Sequence, residues 1–327
     1  MRRFSPILST FVLVALYFGI HSQPGAAQAR TAESVLASAR TALGGEAKIA
    51  AVKTFIANGR TRQVRGENLV PIEFEIQVEL PDKYSRRDEF PAQDQGPVNA
   101  GFVGDQLVLI PRPTPPVPPP GVPAPPPQAF ENQMRARMMQ AKQDFARLML
   151  GMFAGSTPAF PLTYSYAGQA EAPQGKADVI DVKGPANFTG RLFVADGLPI
   201  MFSWTQAGPG GPGGPGGPRP GGPGAAGAPG PAAPRPAAPA PAGGAPAAGG
   251  PPAGGPPAGG PPPGAGGPPK PAPEQRIYFA DYKDVDGLKL PFRIRRAVGA
   301  ETTEETTFDR YRINAKVDPR RFDTTTK

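Results

Sequence analysis

Residues 72–80 read IEFEIQVEL, and this stretch decides the fold. Its apolar side chains occupy every second position: Ile72, Phe74, Ile76, Val78 and Leu80. Successive side chains of a β-strand point to opposite faces, so this alternation predicts a strand with one buried and one solvated face. The stretch Leu288–Arg295 alternates in the same way. The sequence therefore predicts an antiparallel sheet with one wet side.

Further stretches between turn residues have the composition of strands: 52–61, 83–90, 101–110, 162–167, 178–183, 191–195, 199–205, 276–282 and 306–314. Three dipeptides predict tight turns between strands: Gly104-Asp105, Asp196-Gly197 and Asp286-Gly287. Pro291 cannot donate to a ladder, so we expect an edge or a bulge in its strand. An acidic group before the last strand is interpreted as a solvated turn: Glu301, Glu304 and Glu305.

Two segments predict helices, 31–43 and 128–153. The second has an apolar stripe at steps of three and four, which indicates an amphipathic helix: Phe130, Met134, Met138, Ala141, Phe145, Leu148, Met149 and Met152. Its polar face is expected to carry Glu131, Arg135, Lys142, Asp144 and Arg147. Methionine is common on surfaces that accept variable apolar partners. The helix is thus either an adaptable lid over an apolar concavity or an ordinary helix packed on a sheet.

The first 29 residues have the order of a secretory signal peptide. Arg2 and Arg3 precede an apolar run at 7–20, and cleavage is expected after Ala29; an uncleaved anchor is the alternative. Residues 30–327 are interpreted as one domain, interrupted by a proline-rich loop at 111–128 and a Gly/Pro/Ala-rich insertion at 208–273. Neither tract has the apolar side chains needed to join a core. A domain boundary at the long tract is the alternative.

Composition excludes several kinds of chemistry. The chain has no cysteine, and its only histidine, His21, lies in the predicted signal peptide. Cysteine or histidine catalysis, thiol redox chemistry and ordinary zinc sites are therefore not expected. We expect no enzymatic activity, no cofactor and no metal site. The net charge is +8, and basic pairs such as Arg86-Arg87 and Arg295-Arg296 are interpreted as solvated surface with a mild attraction to anionic lipid. Export makes nucleic acid an unexpected partner.

Several segments resemble the outer-membrane lipoprotein carrier family, the LolA-type periplasmic chaperones. They are LGGEAKIAAVKTF at 43–55, IEFEIQVELPDKYSRRDEF at 72–90, RLFVADGLPIMFSW at 191–204, YFADYKDVDGLKLPFRIRRA at 278–297 and FDRYRINAKVD at 308–318. The resemblance covers roughly residues 31–110, 129–206 and 274–327. It implies a mainly β fold, an unclosed antiparallel β-barrel whose helices cap an apolar concavity that shelters acyl chains. The two proline-rich tracts depart from compact members of that family.

From periodicity we expect a groove wall of Phe74, Ile76, Val78, Leu290 and Phe292. The lid residues are expected to be Phe145, Leu148 and Met149. The favoured function is a periplasmic carrier or sensor for the acyl chain of a lipoprotein or lipid, with an outer- or inner-membrane protein as a further partner. The first alternative is a structural or interaction protein of the envelope that uses its proline-rich tracts as spacer or docking segment. A carboxylate hydrolase ranks last.

Overall fold

The computed structural model describes residues 30–205 and 272–324, apart from positions 92, 95, 116, 119, 122, 124, 173 and 174. The predicted signal peptide at 1–29 and all but the last two residues of the predicted insertion at 208–273 lie outside the described residues. Their roles stay predictions.

The described chain contains three α-helices, which are α1 (Ala32–Ala42), α2 (Glu46–Ala51) and α3 (Pro127–Phe153). Its strands are β1 (Thr54–Arg65), β2 (Asn68–Glu79), β3 (Lys83–Glu89), β4 (Val98–Val103), β5 (Gln106–Ile110), β6 (Thr163–Ala172), β7 (Gly175–Gly184), β8 (Phe188–Ala195), β9 (Leu198–Thr205), β10 (Glu274–Val285), β11 (Leu288–Val298) and β12 (Glu301–Ile313). A short 3-10 helix, Pro319–Phe322, follows the last strand.

All twelve strands form one antiparallel sheet, in the order β5-β4-β3-β2-β1-β12-β11-β10-β9-β8-β7-β6. The chain moves outward from β1 to the edge strand β5, crosses through α3 to the other edge strand β6, and returns to β12 beside β1. The two edge strands do not pair with each other, so the sheet is unclosed. We call β1–β5 and β6–β12 the two arms of the sheet. Helix α3 contacts β4 and β5 on the first arm and β9 and β11 on the second, which requires the sheet to curve around the helix. The predicted fold class, an unclosed antiparallel half-barrel capped by helices, is confirmed.

Turn chemistry explains the hairpins. Asp196 and Gly197 both have positive φ, as do Asp286 and Gly287, and this is the geometry of the tight turns that join β8 to β9 and β10 to β11. The stretch 101–110 forms parts of β4 and β5 on either side of the turn at Gly104. These predicted turns are confirmed.

Some predicted boundaries are wrong. The acidic residues expected in a turn lie within β12: Glu301, Glu304 and Glu305. The turn comes earlier because Gly299 adopts positive φ directly after β11. The short helix α2 was not predicted, and β1 and β2 extend farther than expected around the turn at Gly66. Pro291 lies in β11 where the ladder with β12 has not yet begun, since that ladder starts at Arg293. Pro291 therefore has no ladder partner on β12, which is the edge position that the sequence predicted for it.

The C-terminal segment lies against β2, β3 and β4 through polar contacts. The backbone N–H of Asp318 donates to Gln77 Oε1 at 2.7 Å, and Asn99 Nδ2 donates to the backbone oxygen of Arg321 at 2.9 Å. Arg321 pairs with Glu75 at 3.0 Å. These bonds satisfy polar groups that a purely apolar cover would leave unpaired. No helix within the described ranges is long and apolar enough to cross a membrane.

Candidate functional site

The residues predicted for groove and lid lie together. Seven of them are buried members of one core cluster: Phe74, Ile76, Val78, Leu290, Phe145, Leu148 and Met149. Phe292 is half-buried and packs against the same cluster. The apolar face of the sheet is thus filled by side chains of α3, and whether these residues contact a ligand stays a prediction.

The C-terminal half of α3 is tightly seated on the sheet. Phe145 is fully buried, and its ring centroid lies 5.3 Å from that of Tyr84 and 5.4 Å from that of Phe102. At Gly151 the helix approaches the ring of Phe279 so closely that an added Cβ would lie 2.7 Å from Cζ and nearer still to two other ring atoms. The hydroxyl of Tyr282 donates to the backbone oxygen of Gly151 at 2.8 Å. Glycine is therefore required at this contact.

The N-terminal half of α3 is more loosely covered. From residue 127 to 141 every side chain is exposed or half-buried, including Met134, Met138 and Met139. Met138 and Met139 pack against the core cluster without being enclosed by it. The two halves of one helix therefore differ in how firmly they are held.

Two charges predicted on the solvated face of α3 are instead buried. Lys142 and Arg147 are each 6% exposed. The prediction was wrong because α3 lies between two arms of a curved sheet, which cover more than one face of the helix. Lys142 Nζ reaches Asp105 Oδ1 in the β4–β5 turn at 2.6 Å, and it lies 5.5 Å from the centroid of the Phe102 ring.

A second pair of charges links α3 to the middle of the sheet. Asp144 lies 3.1 Å from Arg147 on the helix and 3.4 Å from Arg296 on β11. The other carboxylate near Arg296 is Glu304, at 3.6 Å. The guanidinium of Arg147 lies over Trp204 with 4.3 Å to the ring centroid. Two arginines therefore share the carboxylate that α3 supplies.

The polar contacts continue across the sheet from Glu304. Thr306 and Thr61 are hydrogen-bonded at 2.8 Å, and Arg86 Nη2 donates to Thr61 Oγ1 at 3.3 Å. Arg86 also pairs with Asp88 at 2.7 Å. We call this set the polar network: Thr61, Arg86, Asp88, Asp144, Arg147, Arg296, Glu304 and Thr306.

The electrostatics show how the polar network is balanced. Burial would raise the pKa of Asp144, but Arg296 and Arg147 outweigh it and hold that pKa below its usual value. Burial lowers the pKa of Arg147 to about 10, against the opposing effect of Asp144. The Nε of Arg147 is buried and has no hydrogen-bond partner among the described residues. Arg147 is thus the least compensated charge of the polar network.

Sequence reasoning placed Arg86 and Arg296 on a solvated surface, and this was wrong. Both lie in the polar network because the sheet curves around them. The position of an arginine in a pair of adjacent basic residues does not reveal that curvature. A signal was present in the alternation of β11, since Arg296 shares its parity with the buried residues Leu290 and Ile294.

Asp144→Asn and Arg147→Met are expected to differ in their effect on stability. The first leaves two arginines without their shared carboxylate, and because Asp144 is 30% exposed we expect a loss of about 2 kcal/mol in unfolding free energy. The second removes a desolvated cation and leaves Asp144 to Arg296, so the change should stay within about 1 kcal/mol. Urea unfolding at neutral pH measures both.

The exposed pair Arg191–Asp181 supplies the control, since Asp181→Asn should lower the unfolding free energy by no more than about 0.5 kcal/mol.

The contribution of Asp144 to stability depends on pH with a definite sign. A carboxylate whose pKa is lowered by folding stabilises the protein above its unfolded pKa, and the effect disappears as pH falls through the folded value. The gap between the parent and Asp144→Asn should therefore close on acidification. Equal losses in all three variants would contradict this account.

Two other hollows are lined by residues of the strands. One of about 170 Å³ is lined by Asn58, Glu73, Phe74, Glu75, Arg87 and Glu89. Another of about 500 Å³ extends over β7 to β10 beside Trp204. Within the part of the chain that the structure describes, no group of three or more acidic or histidine side chains could hold a metal ion. The contact surface of α3 with the sheet therefore remains the candidate site.

No protein-family model and no curated protein matches this chain. Among solved structures it is similar to a LolA superfamily protein from Nitrosomonas europaea, at 10% identity and TM-score 0.45, over 90% of this chain and 99% of that one. A putative outer membrane lipoprotein-sorting protein domain from Vibrio parahaemolyticus gives 8% identity and TM-score 0.41, over 88% and 96%. A DUF1329 family protein from Desulfovibrio piger gives 6% and 0.41, over 89% and 97%.

The first two of these proteins bear the name of the group that several segments of this sequence resemble. The likeness concerns the fold. At such TM-scores it carries no inference about what this chain binds.

Proposed function

We propose that this protein is a carrier or sensor of the bacterial envelope that binds an acyl chain, of a lipoprotein or a lipid, between α3 and the apolar face of the sheet. The proposal rests on one observation, the way in which α3 covers the apolar face of the sheet. One helix, held firmly only in its C-terminal half, closes the apolar side of an unclosed sheet. Export to the periplasm with cleavage after Ala29 is part of the proposal, and the mass of the purified mature chain tests it.

In the structure, α3 occupies the place that an acyl chain would take. Binding therefore requires the helix to move outward and the ligand to replace its apolar side chains, among them Phe145, Leu148 and Met149. Each buried CH₂ contributes about 0.8 kcal/mol, so a long acyl chain supplies an apolar contact comparable to the side chains it displaces. Such an exchange is nearly balanced, which suits a carrier because bound cargo must also be released.

Two ion pairs hold the helix to the sheet in the closed position. Lys142 ties it to Asp105 at one arm of the sheet, and Asp144 ties it to Arg296 in the middle. Both would break when α3 moves outward. A covalent link that replaces the first contact should therefore prevent binding.

The experiment uses the absence of cysteine from the chain. In the double variant Lys142→Cys with Asp105→Cys, a short bismaleimide joins α3 to the β4–β5 turn. We expect the unlinked variant to bind a fluorescent long-chain acyl probe and the linked variant to lose that binding. Titration of probe fluorescence before and after linkage measures the difference.

A matched control links an ion pair of similar length away from α3. Arg293 and Asp281 are 3.1 Å apart and about half exposed, so Arg293→Cys with Asp281→Cys can be linked in the same way without holding the helix. Probe binding should survive there. Equal binding by the linked and unlinked forms of the α3 variant would overturn the proposal.

A second candidate function is favoured by one observation: all the predicted groove and lid residues except Phe292 are already buried within the chain itself. On this proposal the domain is a platform, and the proline-rich tracts act as spacer or docking segment in the envelope. Deleting 208–273 separates the two. A carrier keeps its acyl binding without the tract, whereas a platform protein binds no acyl probe in either form.

A further inference from the structure

The polar network adjoins the predicted groove wall. The guanidinium of Arg86 lies over the ring of Phe74, with 4.7 Å to the centroid, and Phe74 is 4% exposed. Ile294, two residues before Arg296 on β11, belongs to the same core cluster as Phe74. A molecule with its chain against the apolar residues would therefore bring its polar end to Arg86 and Arg296.

The two sheet arginines have hydrogen-bonding capacity left over. Arg86 donates from Nε to Asp88 and from Nη2 to Thr61, while Arg296 makes one long hydrogen bond, from Nη1 to Asp144 at 3.4 Å. Among the described residues no partner is present for Nη1 of Arg86 or Nη2 of Arg296. Both side chains keep part of their surface exposed, so an acceptor from outside can reach these donors.

The arginines are surrounded by protein yet reachable. Arg86 retains 23% of its side-chain surface and Arg296 retains 31%. They are linked through three side chains: Arg86 donates to Thr61 at 3.3 Å, Thr61 is hydrogen-bonded to Thr306 at 2.8 Å, Thr306 donates to Glu304 at 3.3 Å, and Arg296 Nε lies 3.6 Å from Glu304. The planar fork of a guanidinium group with unused donors is suited to a carboxylate or a phosphate.

We infer that the polar network binds the anionic head group, a carboxylate or a phosphate, of a single amphiphile whose acyl chain lies under α3. This inference rests on the proposed function and adds the chemistry of the ligand's polar end. In the closed structure the side chain of Asp144 takes the place of that head group at Arg296. Outward movement of α3 removes Asp144 and opens Arg296 to the ligand.

A cationic head group fits the same residues less well. Each of the three carboxylates faces at least one guanidinium group: Asp88 faces Arg86, Asp144 faces Arg147 and Arg296, and Glu304 faces Arg296. The network is neutral as a whole, so net charge does not select the ligand. The unused donors on the arginines do, and they select an acceptor.

The test compares ligands that share a chain and differ in head group. Dodecanoate, dodecyl phosphate and dodecanol are titrated into the full chain by calorimetry, with butyrate and inorganic phosphate as probes without a long chain. We expect at least one anionic amphiphile to bind about tenfold more tightly than dodecanol, the size of one charge-assisted hydrogen bond. Butyrate and inorganic phosphate should bind far more weakly than either anionic amphiphile.

Variants assign the preference to named residues. Arg296→Gln should reduce the anion-to-alcohol ratio to within about twofold while dodecanol binding stays the same. Asp144→Asn should raise the ratio several-fold, because it removes the carboxylate charge that competes for Arg296, whereas mere loosening of the helix would strengthen all ligands equally. Arg293→Gln, on the same strand but about half exposed and paired with Asp281, should leave the ratio unchanged.

Each other outcome overturns a different statement. Equal affinity for anionic and neutral amphiphiles, or an unchanged ratio in Arg296→Gln, overturns the head-group assignment and leaves acyl binding intact. Butyrate or inorganic phosphate binding as tightly as the amphiphiles would show a site for free anions instead. Failure of all three dodecyl compounds to bind overturns the proposed function together with this inference.

Discussion

Replacing Gly151 by leucine is expected to lift α3 from the sheet. Any Cβ at this position would overlap the ring of Phe279, and both partners are held inside the core. Overpacking of a core commonly lowers the unfolding free energy by about 1–3 kcal/mol. Leucine adds four side-chain atoms at a contact that has no space even for one. We therefore expect about 3 kcal/mol lower unfolding free energy, measured by urea unfolding.

The same variant should bind an acyl probe more strongly than the parent chain. A helix held off the sheet no longer competes for the apolar face, so a ligand does not have to displace the side chains of α3 before it binds. Gly155→Leu is the control, because a Cβ there meets its nearest neighbour, the backbone oxygen of Phe153, at 3.6 Å. Unchanged probe binding in Gly151→Leu would show that the helix does not cover a binding surface.

Phe145→Ala is expected to have the larger effect on stability. Phe145 is 0% exposed and packs between Tyr84 on β3 and Phe102 on β4, the strand beside the edge strand β5. Removing a fully buried phenylalanine side chain costs 3–5 kcal/mol through lost transfer energy and a residual cavity, and we expect about 4 kcal/mol here. Chemical denaturation measures this loss.

Phe130→Ala tests whether the loss depends on position along the helix. Phe130 lies in the first turn of α3 and is half-buried, so its removal should cost less than about 1.5 kcal/mol. A similar loss for both phenylalanines would show that the helix is held equally along its length, contrary to the looser N-terminal half that the proposed movement requires.

The sequence predicted much of the sheet because its strands obey simple rules. Alternation placed Ile76, Val78 and Leu290 on a buried face, and Asp-Gly dipeptides marked two hairpin turns, all of which depend on local geometry alone. The long helix was visible for the same reason. Its apolar stripe repeats with the period of the helix.

The polar network was not predictable in this way. Lys142 and Arg147 appear on the polar side of the helix, and they are buried because a curved sheet encloses more of α3 than one face. Arg86, Thr61 and Arg296 lie on separate strands and are linked through Thr306 and Glu304. Their proximity depends on strand order and curvature, which no local pattern encodes. Gly151 was missed for the same reason, since its role is defined by a ring on β10.

The place where β1 meets β12 has a consequence for how the molecule folds. Neighbours along this seam are far apart in the chain, as in the bond from the backbone N–H of Lys53 to Asn314 Oδ1, which joins residues 261 positions apart. Every other strand pair joins consecutive strands. Within each arm every strand therefore pairs with its neighbour in chain order, whereas the seam must await the synthesis of β12, and contacts of such long range slow folding. Until β12 has formed, the edge of β1 that does not pair with β2 stays open, and an open strand edge favours aggregation.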